Sequence, residues 1–128
     1  MARQQSGKSA SQRQLRVGET VRHALAEMLV REMIADPVLT GGHVTVTEAK
    51  MSPDLRHATV YVRPFAAGDG AALLAALKRH HRFLRGELAK HVDLKFMPDL
   101  VFRIDPSFDE ADRIDALLRS PDVARDLD

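Results

Sequence analysis

Between Lys78 and His91 the chain reads KRHHRFLRGELAKH, five lysines or arginines and three histidines around one glutamate, Glu87. Cations at this density can neutralise phosphates and release their counterions, which is the sequence-independent part of nucleic-acid binding. Histidine near its ordinary pKa is mostly neutral at pH 7, and a phosphate beside His80 or His81 would favour its protonation. The competing account is the solvated face of a helix. Total charge does not choose between them, because 19 basic and 18 acidic side chains leave a net charge of only +1.

Catalytic and metal-binding patterns are poorly matched. The adjacent His80 and His81 would point about 100° apart on a helix and could not share a metal as an i, i+4 pair does. His23, His43 and His57 are scattered. The stretch GDGAAL at 68–73 follows a strand pattern and opens a helix pattern, but Leu73 occupies the third glycine position of a dinucleotide fingerprint. Asp105, Asp109, Glu110 and Asp112 lack the alternating ligands and fixed glycine of a calcium loop. No local Ser, His and Asp signature stands out. With no cysteine, thiolate catalysis and Cys-based metal centres are excluded. The expectation is a protein without catalytic residues, metal or cofactor.

These side chains must be positioned by a small domain. At 128 residues the chain is long enough for one core without disulfides or metal. Apolar residues at Val17, Val21, Leu25, Met28 and Leu29 predict an amphipathic helix from about Gln14 to Ile34, stopped by Asp36 and Pro37. HVTVTEA and HATVYVR alternate as two half-buried strands, joined through SPDL as an antiparallel hairpin. Leu73, Leu77, Leu84, Leu88 and Val92 form a helical stripe with a polar gap at 80–82. Leu100, Phe102 and Ile104 share one face of a third strand introduced by Pro98. Ser107 and Glu110 suggest a capping box opening a last helix to about Arg119.

The domain reading is a flexible basic tail over 1–12, a body over 13–106, a short helix over 107–119 and an acidic flexible tail over 120–128. Residues 105–128 carry eight acids against three arginines, −5, and the preceding residues sixteen basic against ten acidic, +6. A basic body followed by an acidic tail suits a polyanion partner. No apolar run approaches the ~20 residues of a membrane span, and MARQQSGKSASQRQ lacks a secretory segment, so a cytoplasmic location is expected. The tail's composition would also allow an organellar transit peptide, though it has little amphipathic apolar content.

The order helix, strand, strand, broken helix, strand gives an α+β class, a three-stranded sheet with helices on one face, and follows the logic of KH-type RNA-binding domains. VTVTEAKMSPDLRHATVYV (44–62) and FLRGELAKHVDLKFMPDLVFRIDPSFDEADRIDALL (83–118) resemble the ribosome-binding factor A family, over roughly Gln12 to Leu118. The resemblance implies a single type II KH-like domain that binds the immature small ribosomal subunit through its rRNA. It further implies help with rRNA processing and late maturation without catalysis. The implied partners are that subunit and its rRNA, with room for a ribosome-associated GTPase, and a monomeric state.

One departure stands where the family usually writes Ala-x-Gly between its central helices: here the residues are His80, His81 and Arg82. Without glycine the bend loses its cheapest conformer, so a milder bend or a nearly continuous helix is expected. The candidate RNA contacts are Lys78, Arg79, His80, His81, Arg82, Arg85 and Lys90 in the cluster. Further candidates are Lys50 and Arg56 flanking the hairpin turn, and Arg13, Arg16 and Arg22 on the first helix. Phe65, Phe83, Phe96, Phe102 and Phe108 read as core, and Tyr61 as a weak stacking candidate on the polar register. The alternative from the residues alone is an adaptor whose basic helix docks an acidic protein partner.

Overall fold

The computed structural model describes residues 10–31, 33–40, 44–64 and 68–107. Among them the order is α1 (Gln12–Val30), β1 (Val44–Met51), β2 (His57–Pro64), α2 (Gly70–Arg79), α3 (His81–His91) and β3 (Asp99–Ile104). The helix proposed after Ser107 and both tails lie largely outside the described residues.

Helix α1 opens on a capping box: Gln14 N donates to Ser11 Oγ, and Ser11 N to Gln14 Oε1. Two orphan amides of the first turn are thereby satisfied. The Gln14 amide group also donates to Met51 O at 3.0 Å, tying the start of the helix to the end of β1. Val21, Ala24, Leu25, Met28 and Leu29 bury one face, with Gly18 among them. Gly18 is required by a close approach, since a Cβ there would stand 2.4 Å from Ala49 O. The helix ends at Val30, before the expected Ile34. Pro37 disfavours helical conformation at the preceding residue, and the chain instead turns so that Ile34 and Leu39 close the core.

The sheet order is β1-β2-β3, with β1 and β2 antiparallel and β2 and β3 parallel. A bulge at Thr47 breaks the simple alternation: Val46 pairs with Val62 but Glu48 with Tyr61. The extra residue changes the phase, so that Ala49 and Met51 turn toward the same core as Val46. Thr47 Oγ1 donates to Tyr61 O across the bulge. Ala58, Val60 and Val62 of the central strand are fully buried beneath Leu73, Leu77, Leu84 and Leu88. All three helices cover one face, while Lys50, Arg63, Val101 and Arg103 are exposed. This is the type II KH-like α+β arrangement.

The aromatic expectation needs correction. Phe102 packs against the core, but Phe83 and Phe96 are 42 and 50% exposed. Both lie off the apolar stripe, one on the outer side of α3 and one in the loop after it. Phe65 and Phe108 lie outside the described residues.

Candidate nucleic-acid interface

The bend between the central helices persists without glycine. His80 alone separates α2 from α3, at φ −102° and ψ 16°, a region open to ordinary residues. The break is shallow, because His80 N still donates to Ala76 O and Leu84 N to His80 O. Helix α2 is capped at its start by Asp69, whose carboxylate accepts from the amides of Ala71 and Ala72. Helix α3 has no side-chain cap and no acid in its first turn.

What fixes the joint is Asp36, from the loop after α1 and only 7% exposed. Arg79 Nη2 donates to Asp36 Oδ2 at 2.9 Å, and His80 Nε2 lies 2.9 Å from the same oxygen, hydrogen-bonded to it when that nitrogen carries a proton. Val38 N donates to Oδ1. Arg79 first, then the Val38 amide, then His80 hold the Asp36 carboxyl down at about 2, from an ordinary 3.8. Two of the cluster's candidates thus engage an acid, with the Arg79 side chain still 56% exposed. Arg79 and His80 clamp the bend to the loop after α1.

Arg85 is likewise committed, donating from Nε to Pro98 O at 3.1 Å and from Nη2 to Met97 O at 2.8 Å. It braces the loop that leads α3 into β3, while its side chain stays 41% exposed. Lys90 pairs with Glu87, and Arg22 with Glu19, each within its own helix. Lys78, His81 and Arg82 show no hydrogen bond or ion pair among the described residues. They stand together at the joint. Lys78 closes α2, where a cation complements the helix dipole, but Arg82 opens α3, where a cation opposes it by about 0.3–1 kcal/mol. An anion at that end, facing the uncapped amides, would turn this term favourable.

The remaining candidates gather elsewhere. Lys50 lies 5.6 Å from the Tyr61 ring centroid on the open face of the sheet. Arg56, leaving the hairpin turn, stacks 4.4 Å from the Phe96 centroid. Arg13 lines the same depression as Phe96 at the start of α1. Arg16 borders a separate groove along α1 with Leu15, His23 and Met33. Among the described residues no group of three or more His, Cys, Asp or Glu is placed to hold a metal ion, and no helix is long and apolar enough to cross a membrane.

The family model described as Ribosome-binding factor A matches residues 13–118. The chain belongs to the ribosome-binding factor A family. A ribosome-binding factor A of Rhodopseudomonas palustris strain HaA2 is 57% identical over 122 residues, covering 95% of this chain and 90% of the relative. Another, from Methylorubrum extorquens strain PA1, is 56% identical over all 128 residues and 88% of the relative. The crystal structure of ribosome-binding factor A from Thermus thermophilus superposes with a TM-score of 0.63 at 30% identity, covering 71% of this chain and 93% of that one. A Thermus thermophilus ribosome-binding factor A homology model, fitted into an electron cryomicroscopy map of a 30S complex, gives a TM-score of 0.56 at 32% identity, covering 70% and 91%.

Within that family frame, the Asp36 clamp has no forerunner in the sequence pattern. Asp36 reads there as a helix stop before Pro37, and nothing periodic links it to residues 43 and 44 positions away. Arg85 reads as one more cation because its carbonyl partners lie in a loop.

Proposed function

We propose that this chain is a non-catalytic, monomeric cytoplasmic factor that binds the immature small ribosomal subunit through its rRNA and assists rRNA processing and late maturation. The observation that carries this reading is the trio Lys78, His81 and Arg82, unpaired among the described residues and gathered at an uncapped helix start. Their neighbours Arg79 and Arg85 are spent on holding the bend and the loop. Arg82, a cation set against the start of α3, costs stability unless an anion meets it. The 30S complex described for the Thermus relative supports the small subunit as the source of that anion. Charged residues along both sheet edges, Glu48 and Lys50 on β1 and Asp99 and Arg103 on β3, discourage strand pairing between copies.

The test is sedimentation with purified small subunits at low and high salt, comparing the wild type with a Lys78→Glu, Arg82→Glu double variant. The wild type should comigrate at low salt and dissociate as salt rises, with roughly one unit of the log–log slope lost per phosphate contact removed. The double variant should lose association by at least tenfold, with its unfolding midpoint unchanged. In depleted cells, unprocessed small-subunit rRNA should accumulate, and only the wild-type allele should reverse it. Undiminished comigration of the double variant would reject this trio as the grip. Binding that bulk RNA does not compete away would favour an adaptor for an acidic protein.

A further inference from the structure

Toward the amino-terminal end of α1, away from the helix joint, a second cationic surface surrounds an exposed aromatic ring. Phe96 lies in the loop between α3 and β3. The Arg56 guanidinium stacks 4.4 Å from its centroid, and Lys95 Nζ lies 5.6 Å away. Arg13, Pro53, Leu55, Leu94 and Lys95 join Phe96 around a depression of about 280 Å³. That is close to the smallest pockets that take small molecules, about 300 Å³, and leaves room for one planar base.

Its walls come from three separate parts of the chain. The hairpin turn is closed by Leu55 N donating to Ser52 O, and Leu55 takes a positive φ of 62°, which a leucine adopts at a cost of about 1–2 kcal/mol. That conformation sends the chain into Arg56. Asp54, the one acid lining the depression, is occupied by the Ser52 hydroxyl and the Arg56 amide, which together hold its carboxyl below the usual range. It forms no ion pair among the described residues with Arg13 or Lys95, the two cations lining the depression, or with Arg56 beside it. A half-exposed phenyl ring, a stacked guanidinium and two further cations form a surface with both a π-face and a phosphate-binding charge.

We propose that this depression receives one unpaired nucleotide of RNA, its base stacking on Phe96, whose ring Arg56 supports from beside the depression, and its phosphate meeting Arg13 and Lys95. The inference rests on the RNA-binding reading above and adds a preference that phosphate contacts alone cannot give. Duplex RNA keeps its bases stacked inside the helix, so only a loop, bulge or strand end can offer one. Base–aromatic stacking tolerates any base, which predicts selection for single-strandedness over sequence.

The experiment measures binding of a labelled 12-nucleotide RNA, single-stranded or annealed to its complement, by fluorescence anisotropy with the full chain. Phe96→Leu should weaken single-strand binding about tenfold and leave duplex binding unchanged, and Phe96→Trp should restore it. Arg56→Gln, read in parallel, should produce a smaller loss with the same selectivity. Both midpoints of unfolding should match the wild type, since neither side chain is in the core. Equal binding of wild type and Phe96→Leu to the single strand would overturn the proposal, as would an equal loss on both RNAs. A Phe96→Leu defect toward intact subunits but not protein-free rRNA would overturn it in favour of a protein-docking surface. Sedimentation of the wild type with small subunits tests the broader function separately, so the two readings can fail independently.

Discussion

Substituting Gly18 by alanine should destabilise the domain, although alanine is the better helix former. Inside a helix the exchange ordinarily gains about 1 kcal/mol. Here the new Cβ would sit 2.4 Å from the carbonyl oxygen of Ala49, where ordinary contact begins near 3.4 Å, so α1 must withdraw from β1 by about 1 Å. The obstacle is backbone in a paired strand and cannot rotate away as a side chain could. Withdrawal opens a gap along Val21 and Leu25, and a gap of that size forfeits a quarter to a half of the dispersion attraction between the atoms it separates. Taking about 3 kcal/mol for overpacking, the upper end of the usual range, leaves a net loss of about 2 kcal/mol. For a domain of this size that lowers the unfolding midpoint by about 10 °C. Gly86→Ala supplies the control, because a Cβ there meets nothing within 4 Å. It should gain the same helical term and raise the midpoint by a few degrees. Scanning calorimetry of both variants decides the matter: a Gly18→Ala protein as stable as the wild type would mean that α1 is not seated against β1 as described.

Two further outcomes follow from the internal commitments of the basic cluster. Arg85→Glu removes two hydrogen bonds to loop carbonyls and sets a second acid beside Asp99. It should cost about 2 kcal/mol and lower the midpoint by about 10 °C, whereas Arg82→Glu alone, which sets an acid where the α3 dipole favours one, should not lower it; equal midpoints would refute the bracing role. Asp36 titrates at about 2 in the folded chain against an ordinary 3.8, so its contribution is complete above about pH 4 and disappears as pH falls through about 2. The wild-type midpoint should therefore drop across that interval, and Asp36→Asn, weaker at neutral pH, should show a flatter acid limb when both are melted between pH 2 and 5.

Much of the scaffold is legible because it is periodic. The stripe of Leu73, Leu77, Leu84 and Leu88 announces both central helices, and its polar gap marks the joint at His80. The bulge also leaves a trace: apolar residues fall at 44, 46, 49 and 51, and the step of three from Val46 to Ala49 breaks a period of two. The partners of the cations are not legible. Charge density shows where lysines and arginines are, but whether Arg79 meets Asp36 or solvent depends on a loop brought back from far along the chain. Phe96 misleads for a related reason, since an aromatic beside Leu94 and Met97 is assigned to the core when no helix or strand fixes its direction.

The parallel pairing of β2 with β3 has a consequence in time. His57 must meet Asp99 and Val62 must meet Ile104, about forty positions later, and the whole of α2 and α3 lies in the crossover between them. Contacts of such separation form late. A chain emerging during synthesis displays Lys78 and Arg82 well before β3 exists, yet the Pro98 and Met97 carbonyls that hold Arg85 have still to arrive. The cations are then present without the frame that holds them in one geometry. On the role proposed for these cations, competence to grip a partner is deferred until nearly the whole domain has been made, so a prematurely ended chain carries the charge of the factor without its shape.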